Sequence, residues 1–307
     1  IYKTTAYQFN NTEHAANLFG LKEFGNIYSR LGNPTVGALE ARLTALEEGA
    51  MCVALSSGTS AVMYSLINIM SQGDNFVTAN QLYGGTYTMF DNILPEYGID
   101  SKKVDITDLA AVENAIDDKT RAIYCETITN PGLVVADISA LSEIAHSKGI
   151  PLIVDATFTT SAILKPFEYG ADIVVYSLTK WMSGHGRVIA GAVIEKGGFD
   201  WGNGNFPLYD KPDTSYGGMR WGHDLGDLGN VAYSLRLRTV PLRNLGANMG
   251  PETAFEVLSG LETLGLRMER HCENAIKAAE YLSNHELVEW VRFPGLKDDP
   301  AYELSEK

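Results

Sequence analysis

The chain has 307 residues, enough for one large domain or two smaller ones, and its 45% apolar and 20% charged residues are the balance of an ordinary globular protein. A net charge of -14 argues against nucleic acid and anionic membrane as partners, and no apolar run approaches the roughly 20 residues a membrane helix needs. Three cysteines, Cys52, Cys125 and Cys272, lie far apart without paired spacing, which argues against a disulfide framework or zinc site and leads us to expect a cytoplasmic protein. No signal-peptide pattern opens the sequence, and Ile1 in place of Met implies a start inside a longer chain.

Residues 1 to 34 carry little periodicity and read as an extended arm ending near Asn33-Pro34. From residue 51 to 193 short β-branched runs alternate with helical stretches. The pattern predicts strands at 51–55, 75–79, 121–125, 151–155, 172–176 and 189–193, with helices at 59–71, 86–96, 108–116 and 137–148. Gly149 is placed to end the last of these helices. Such alternation predicts a mostly parallel central sheet covered by helices, with ligands held at the carboxyl ends of the strands. Residues 197–230, rich in Gly, Asp, Tyr and Trp, read as a long irregular excursion. At Pro251 a long amphipathic helical pattern begins and runs to about Asn284, and Leu287 to Phe293 reads as one more strand. A strand without nearby sheet partners implies a second domain cut short.

Several polar groups fall where strands should end. Ser56-Ser57-Gly58-Thr59 closes one strand and opens a helix, and reads either as a capped helix start or as an anion site on the free N–H groups there. Asp155 ends the apolar run Pro151-Leu-Ile-Val154. A carboxylate in that position is either a cap for the next segment or the partner of a buried positive charge, such as a protonated ring nitrogen. Lys180 follows the run 172–176 with Ser177 and Thr179 beside it. A lysine near a strand end is commonly a surface residue; desolvated, it is suited to Schiff-base chemistry, with the two hydroxyls bonding a phosphate on the same ligand.

Together these residues carry a resemblance. Tyr28-Ser-Arg30 with Asn33-Pro34-Thr35, Ser56-Ser57-Gly58-Thr59-Ser-Ala61, Tyr83-Gly84-Gly85-Thr86, Asn130-Pro131, Val154-Asp155-Ala-Thr-Phe158 and Tyr176-Ser177-Leu-Thr179-Lys180-Trp-Met-Ser-Gly-His-Gly186 resemble, in order, the transsulfuration family of pyridoxal-phosphate enzymes. The likeness covers essentially the whole chain. It implies the aspartate-aminotransferase-like fold (fold type I): an N-terminal arm over residues 1–34 reaching a neighbouring subunit, a large cofactor-binding domain over 35–247, and the start of a smaller C-terminal domain, incomplete, over 248–307.

The resemblance also assigns roles. Lys180 matches the lysine that binds pyridoxal phosphate covalently and later moves protons between substrate carbons. Asp155 matches the aspartate paired with the ring nitrogen, and Tyr83 the tyrosine on the ring face, placed to assist proton transfer or the leaving group. Gly58, Thr59, Ser177 and Thr179 match the phosphate cradle, with Ser57 close by. Asn130 matches an asparagine near the cofactor's phenolic oxygen and the substrate carboxylate. Tyr28 and Arg30 match residues that reach the phosphate of a neighbouring subunit, which implies a homo-oligomer with shared active sites, a dimer of dimers in this family; the planar guanidinium suits a phosphate.

Within the family, the arm Glu13-His14-Ala15-Ala16-Asn17-Leu18-Phe19 and the excursion from Phe206 to Tyr216 resemble the O-acetylhomoserine sulfhydrylases, as does the region from Pro251 to His271. The implied reaction is γ-replacement on a small amino-acid ester, with sulfide or methanethiol displacing acetate to give homocysteine or methionine, and no metal. The nearest alternatives are methionine γ-lyase and the cystathionine γ-synthase and γ-lyase activities of the same family. A nicotinamide dehydrogenase is disfavoured, because no Gly-x-Gly-x-x-Gly follows the first strand. A scaffold without turnover is disfavoured by the retained lysine, aspartate and tyrosine.

Three positions depart from the family pattern: Ala156 where Asn is usual, Arg187 where a small hydroxyl residue is common, and Gly217 where His is expected. The arginine that binds the substrate α-carboxylate is expected beyond residue 307. His185 reads as a loop residue rather than a general base. Asp210, Asp213, Asp224 and Asp227 are spaced too irregularly for a metal cluster and read as a solvated loop. Trp201, Phe206, Tyr209, Tyr216 and Trp221 read as the packing of that loop, and Cys52 and Cys125 as core residues.

Overall fold

The computed structural model describes residues 1–307 as an α/β protein. The arm is not wholly extended: Thr12–Phe19 forms a helix, α1, capped by Asn11, whose side chain accepts the N–H of His14. A second helix absent from the sequence reading, α2, spans Pro34–Glu47. Asn33 caps it, its carbonyl oxygen accepting the N–H of Thr35 at 2.9 Å, and Pro34 supplies a preset φ at the first helical position. Val36, Leu39 and Leu43 face the core, a 3–4 spacing that the sequence displays but that the reading passed over.

The strands are β1 (Met51–Leu55), β2 (Asn75–Ala79), β3 (Asp100–Val104), β4 (Thr120–Glu126), β5 (Leu152–Asp155), β6 (Ile173–Tyr176) and β7 (Gly191–Glu195). They are ordered β1-β7-β6-β5-β4-β2-β3 in one sheet. Pairs β2–β3, β2–β4 and β4–β5 are parallel, whereas β1 and β7 run antiparallel from Met51↔Glu195 to Leu55↔Gly191. The sheet is therefore mixed, with most strands buried on both faces and reading as continuous apolar runs. The unforeseen strand, β3, has the sequence DSKKV and lies at an edge. Its lysines reach Asp117 and Asp91, so charge rather than alternation marks it.

Between strands run α3 (Gly58–Ile67), α4 (Gly84–Thr88), α5 (Leu109–Ala115) and α6 (Ile138–Ser147). The expected helix over 86–96 is shorter, passing after α4 into a wide turn over Met89–Ile93 and a tight one over Leu94–Tyr97 that contains Pro95. The long pattern from Pro251 resolves into two helices, Pro251–Leu261 and Leu264–Ser283. No strand forms over 287–293, where Leu287 and Trp290 are exposed. An isolated segment there has no ladder to satisfy its backbone groups.

By packing, the chain divides into two units, the first comprising 1–69 with 175–261 and the second 70–174 with 262–307. In the first, α2 and α3 cover β1 and β7. In the second, α5 lies against β3, and α6 against β4 and β5.

Candidate active site

In the first unit, β1 ends at Leu55 and α3 begins three residues later. Ser57 caps α3 through a reciprocal pair: its Oγ accepts the N–H of Ser60 at 3.0 Å, and Ser60 Oγ accepts the N–H of Ser57 at 3.1 Å. The N–H groups of Gly58 and Thr59 thus open a ten-residue helix whose dipole favours an anion. Gly58 is pressed against the turn after β6: a Cβ built on it would lie 2.5 Å from Ser177 Cβ and 2.8 Å from Ser177 Cα. Gly191 of β7 meets the Ser57–Gly58 peptide, its added Cβ falling 2.1 Å from the Ser57 carbonyl oxygen. Two glycines therefore permit a backbone approach that no side chain would allow.

The segment after β6 is a run of tight turns. Lys180 donates its N–H to the Ser177 carbonyl at 3.2 Å, and Gly184 donates to Lys180 at 2.9 Å. Thr179 exchanges hydrogen bonds with Ala190, its Oγ1 donating to the carbonyl and accepting the N–H. These bonds fix the backbone of Lys180, while its side chain stands exposed at the end of a fully buried strand. In the arm, Tyr28 and Arg30 pair with each other, the guanidinium 5.1 Å from the ring centroid, and both stay exposed.

The second unit holds Asp155, Tyr83 and Asn130. Asp155 ends β5; its Oδ1 accepts the N–H of Thr157 at 2.9 Å and its Oδ2 the hydroxyl of buried Tyr124 at 3.3 Å. Burial pushes its pKa above the usual carboxylate range, partly offset by these donors. Its register partner on β4 is Glu126, a second carboxylate and only 5% exposed. Burial, with the charge of Asp155, pushes Glu126 up to about 7. Glu126 accepts the N–H of Tyr83 at 2.7 Å on one oxygen and that of Asn130 at 3.0 Å on the other. The Tyr83 ring is about half exposed, and Asn130 is exposed.

Sequence reasoning passed over Glu126, Tyr124, Ser60 and Gly191. Glu126 had the same signal as Asp155, a carboxylate closing the apolar run Ala122-Ile-Tyr-Cys125. Ser57 proves to be a helix cap through its hydroxyl. His185 sits in the loop, its Nδ1 against the Ser183 carbonyl. The loop aspartates have local partners: Asp210 with His223, Asp213 with Ser215 and Trp221, Asp224 with Arg220. Trp201 stacks against Tyr209 and Tyr233 at 5.0 and 5.1 Å, so the excursion's aromatics pack with one another and with the helix Ala232–Leu237 that follows.

In the first unit the glycine-lined start of α3, bordered by Ser177, suits the phosphate of pyridoxal phosphate, and Lys180 suits its carbonyl. In the second unit Asp155 suits a protonated ring nitrogen, which would offset the cost of its burial. The whole chain, residues 1–307, matches the family described as Cys/Met metabolism PLP-dependent enzyme. The chain belongs to this family. Its cofactor is pyridoxal phosphate. O-acetyl-L-homoserine sulfhydrylase of Leptospira meyeri is 46% identical to it, over all of this chain and 71% of that one. A Campylobacter jejuni O-acetylhomoserine (thiol)-lyase, whose structure contains N'-pyridoxyl-lysine-5'-monophosphate, superposes with a TM-score of 0.95 at 40% identity, covering all of this chain and 76% of that one. Cystathionine γ-lyase of Lactobacillus plantarum, solved with L-serine, gives 0.81 at 31% identity, covering all of this chain and 69% of that one. No helix of this family member is long and apolar enough to cross a membrane.

Proposed function

We propose that the protein catalyses γ-replacement on O-acetylhomoserine, in which sulfide or methanethiol displaces acetate to give homocysteine or methionine. The reading rests on Lys180, held just past the Gly58–Ser177 contact, in a chain 46% identical along its whole length to an O-acetylhomoserine sulfhydrylase. When bound, pyridoxal phosphate supplies a carbonyl for the substrate amine and a cationic ring that withdraws electrons from the adjacent carbons.

The chain's own groups do the rest. Gly58, Thr59, Ser177 and Thr179 bind the phosphate, with Ser57 holding the helix start rigid, and Tyr28 and Arg30 serve the phosphate of a neighbouring subunit. Lys180 Nζ would hold the cofactor through its carbonyl and would move the proton of the substrate α carbon. Asp155 keeps the ring nitrogen protonated. The Tyr83 ring would pack against the cofactor, and its hydroxyl would supply a proton to the departing acetate. Asn130 orients the substrate carboxylate. In this reading residues 1–34 are an arm, 35–247 the cofactor-binding domain and 248–307 the start of a smaller domain, in a cytoplasmic homo-oligomer, a dimer of dimers.

Borohydride reduction of the yellow protein, followed by peptide mapping, is expected to leave the pyridoxyl mass on the peptide containing Lys180. A Lys180→Ala variant that turned over at the normal rate would sink the proposal. Acetate release is expected to require sulfide or methanethiol. Equal release without any thiol would mark a γ-lyase instead, the alternative favoured by the likeness to cystathionine γ-lyase.

A further inference from the structure

The buried carboxylate of β4 has no place in the chemistry above. Glu126 lies in register with Asp155 on the neighbouring parallel strand, so two acidic groups meet at the carboxyl ends of two central strands. A neutral side chain would be cheaper to bury there. What the carboxylate offers is two acceptors on one rigid fork. One takes the N–H of Tyr83 and the other the N–H of Asn130, at 2.7 and 3.0 Å. Tyr83 follows β2 and Asn130 follows β4, strands that are themselves paired. Tyr83 has no side-chain cap at the start of α4, and the side chains of both residues stand largely in the open. Their directions are therefore set by their backbones, and each backbone ends on the same carboxylate.

We propose that Glu126 is a positioning residue for the reaction, whose two carboxylate oxygens pin the backbones of Tyr83 and Asn130 so that their side chains keep one direction. The inference rests on the roles given to Tyr83 and Asn130 under the proposed function. Glu126 itself touches neither substrate nor cofactor. Gln in its place keeps the volume but presents one acceptor and one NH2 donor, and the donor faces an N–H. Ala removes both acceptors.

Glu126→Gln and Glu126→Ala, purified as holoenzymes, are compared with wild type by amide hydrogen exchange and by kcat per bound cofactor. Loss of a hydrogen bond to a charged group is expected to speed exchange of the Tyr83 and Asn130 amides about 10- to 100-fold. Misdirection of the two side chains is expected to lower kcat per bound cofactor by about 100-fold. Cofactor content should stay within about twofold, since Gly58, Ser177 and Lys180 are untouched. A purely structural role would reduce the folded fraction and leave kcat per bound cofactor unchanged.

Faster exchange with unchanged kcat overturns the inference, as does unchanged exchange. Exchange of these two amides at unprotected rates in the wild-type holoenzyme overturns it without any variant, which covers the case in which Glu126→Ala fails to fold. Tyr83→Phe and Asn130→Ala separate the two levels. If neither lowers kcat, the roles assigned to those side chains fail. If both do while Glu126→Gln does not, only the positioning inference fails.

Discussion

Replacing Gly58 by Ala puts two effects of known sign in opposition. In a helix interior Ala is favoured over Gly by about 1 kcal/mol, an upper limit at Gly58, which is the first residue of α3 and has no positive φ. Against this, the new Cβ would sit 2.5 Å from Ser177 Cβ and 2.8 Å from Ser177 Cα, both inside the closest approach carbon atoms tolerate. The second atom is backbone at the end of a fully buried strand, so it cannot swing away. Forced overpacking of this kind costs about 1–3 kcal/mol and outweighs the propensity gain. Gly37 supplies the control: it lies within α2, and a Cβ there meets nothing within 4 Å. We expect Gly37→Ala to raise Tm slightly. Gly58→Ala should lower it by several degrees and, because relief must come from moving Ser177, weaken pyridoxal phosphate binding about tenfold. Thermal unfolding of the cofactor-free protein and absorbance titration with cofactor measure the two effects. A Gly58→Ala protein as stable as Gly37→Ala, with unchanged cofactor affinity, would refute the close approach on which the cradle is built.

Three further outcomes are expected. Glu195, enclosed in the first unit, is pushed up to about 7 by burial, although it accepts N–H bonds from Ser234 and Trp201. Its folded form binds a proton more tightly than the unfolded chain, so wild type should gain about 3 kcal/mol of stability as pH falls from above 7 to 4.5, a gain that Glu195→Gln removes in parallel denaturation series. Asp155→Asn removes one of two adjacent enclosed carboxylates: Tm of the cofactor-free protein should rise, Glu126 should titrate nearer its ordinary 4.5, and turnover should drop at least about a hundredfold. Arg238 bridges Glu40 at 2.8 Å and donates to the carbonyls of Leu31 and Cys52. Arg238→Met should cost about 3–5 kcal/mol in urea unfolding, and a loss below about 1 kcal/mol would show that Glu40 finds water instead.

The sheet interior was legible because strands buried on both faces are largely apolar: β1 and β2 fall on the residues that their runs mark, 51–55 and 75–79. The edge strand β3 was not, since three of its five residues are charged and its identity comes from pairing with β2. The strand expected at 287–293 fails for the converse reason, a suitable pattern without a ladder to join. At the site, Asp155 and Lys180 stand out as polar residues ending apolar runs. Glu126 carried the same mark, but its significance lies in two loop amides whose convergence no local pattern encodes. Likewise Ser57 gave a hydroxyl beside a glycine, and only geometry shows that hydroxyl engaged with Ser60.

The antiparallel pair β1–β7 also sets an order of events during synthesis. Met51 leaves the ribosome well before Glu195, its partner; with roughly 140 residues between them, translation at about 5–20 residues per second leaves β1 without its partner for on the order of 10 s. Gly58 and Ser177, the two walls of the proposed phosphate cradle, are likewise separated in sequence, by the whole of residues 70–174. The nascent chain thus carries a finished helix start and no place to put a phosphate until the turn after β6 has emerged. On the proposed function, loading of the cofactor is then a late step, timed by where the Gly58 and Ser177 backbones meet.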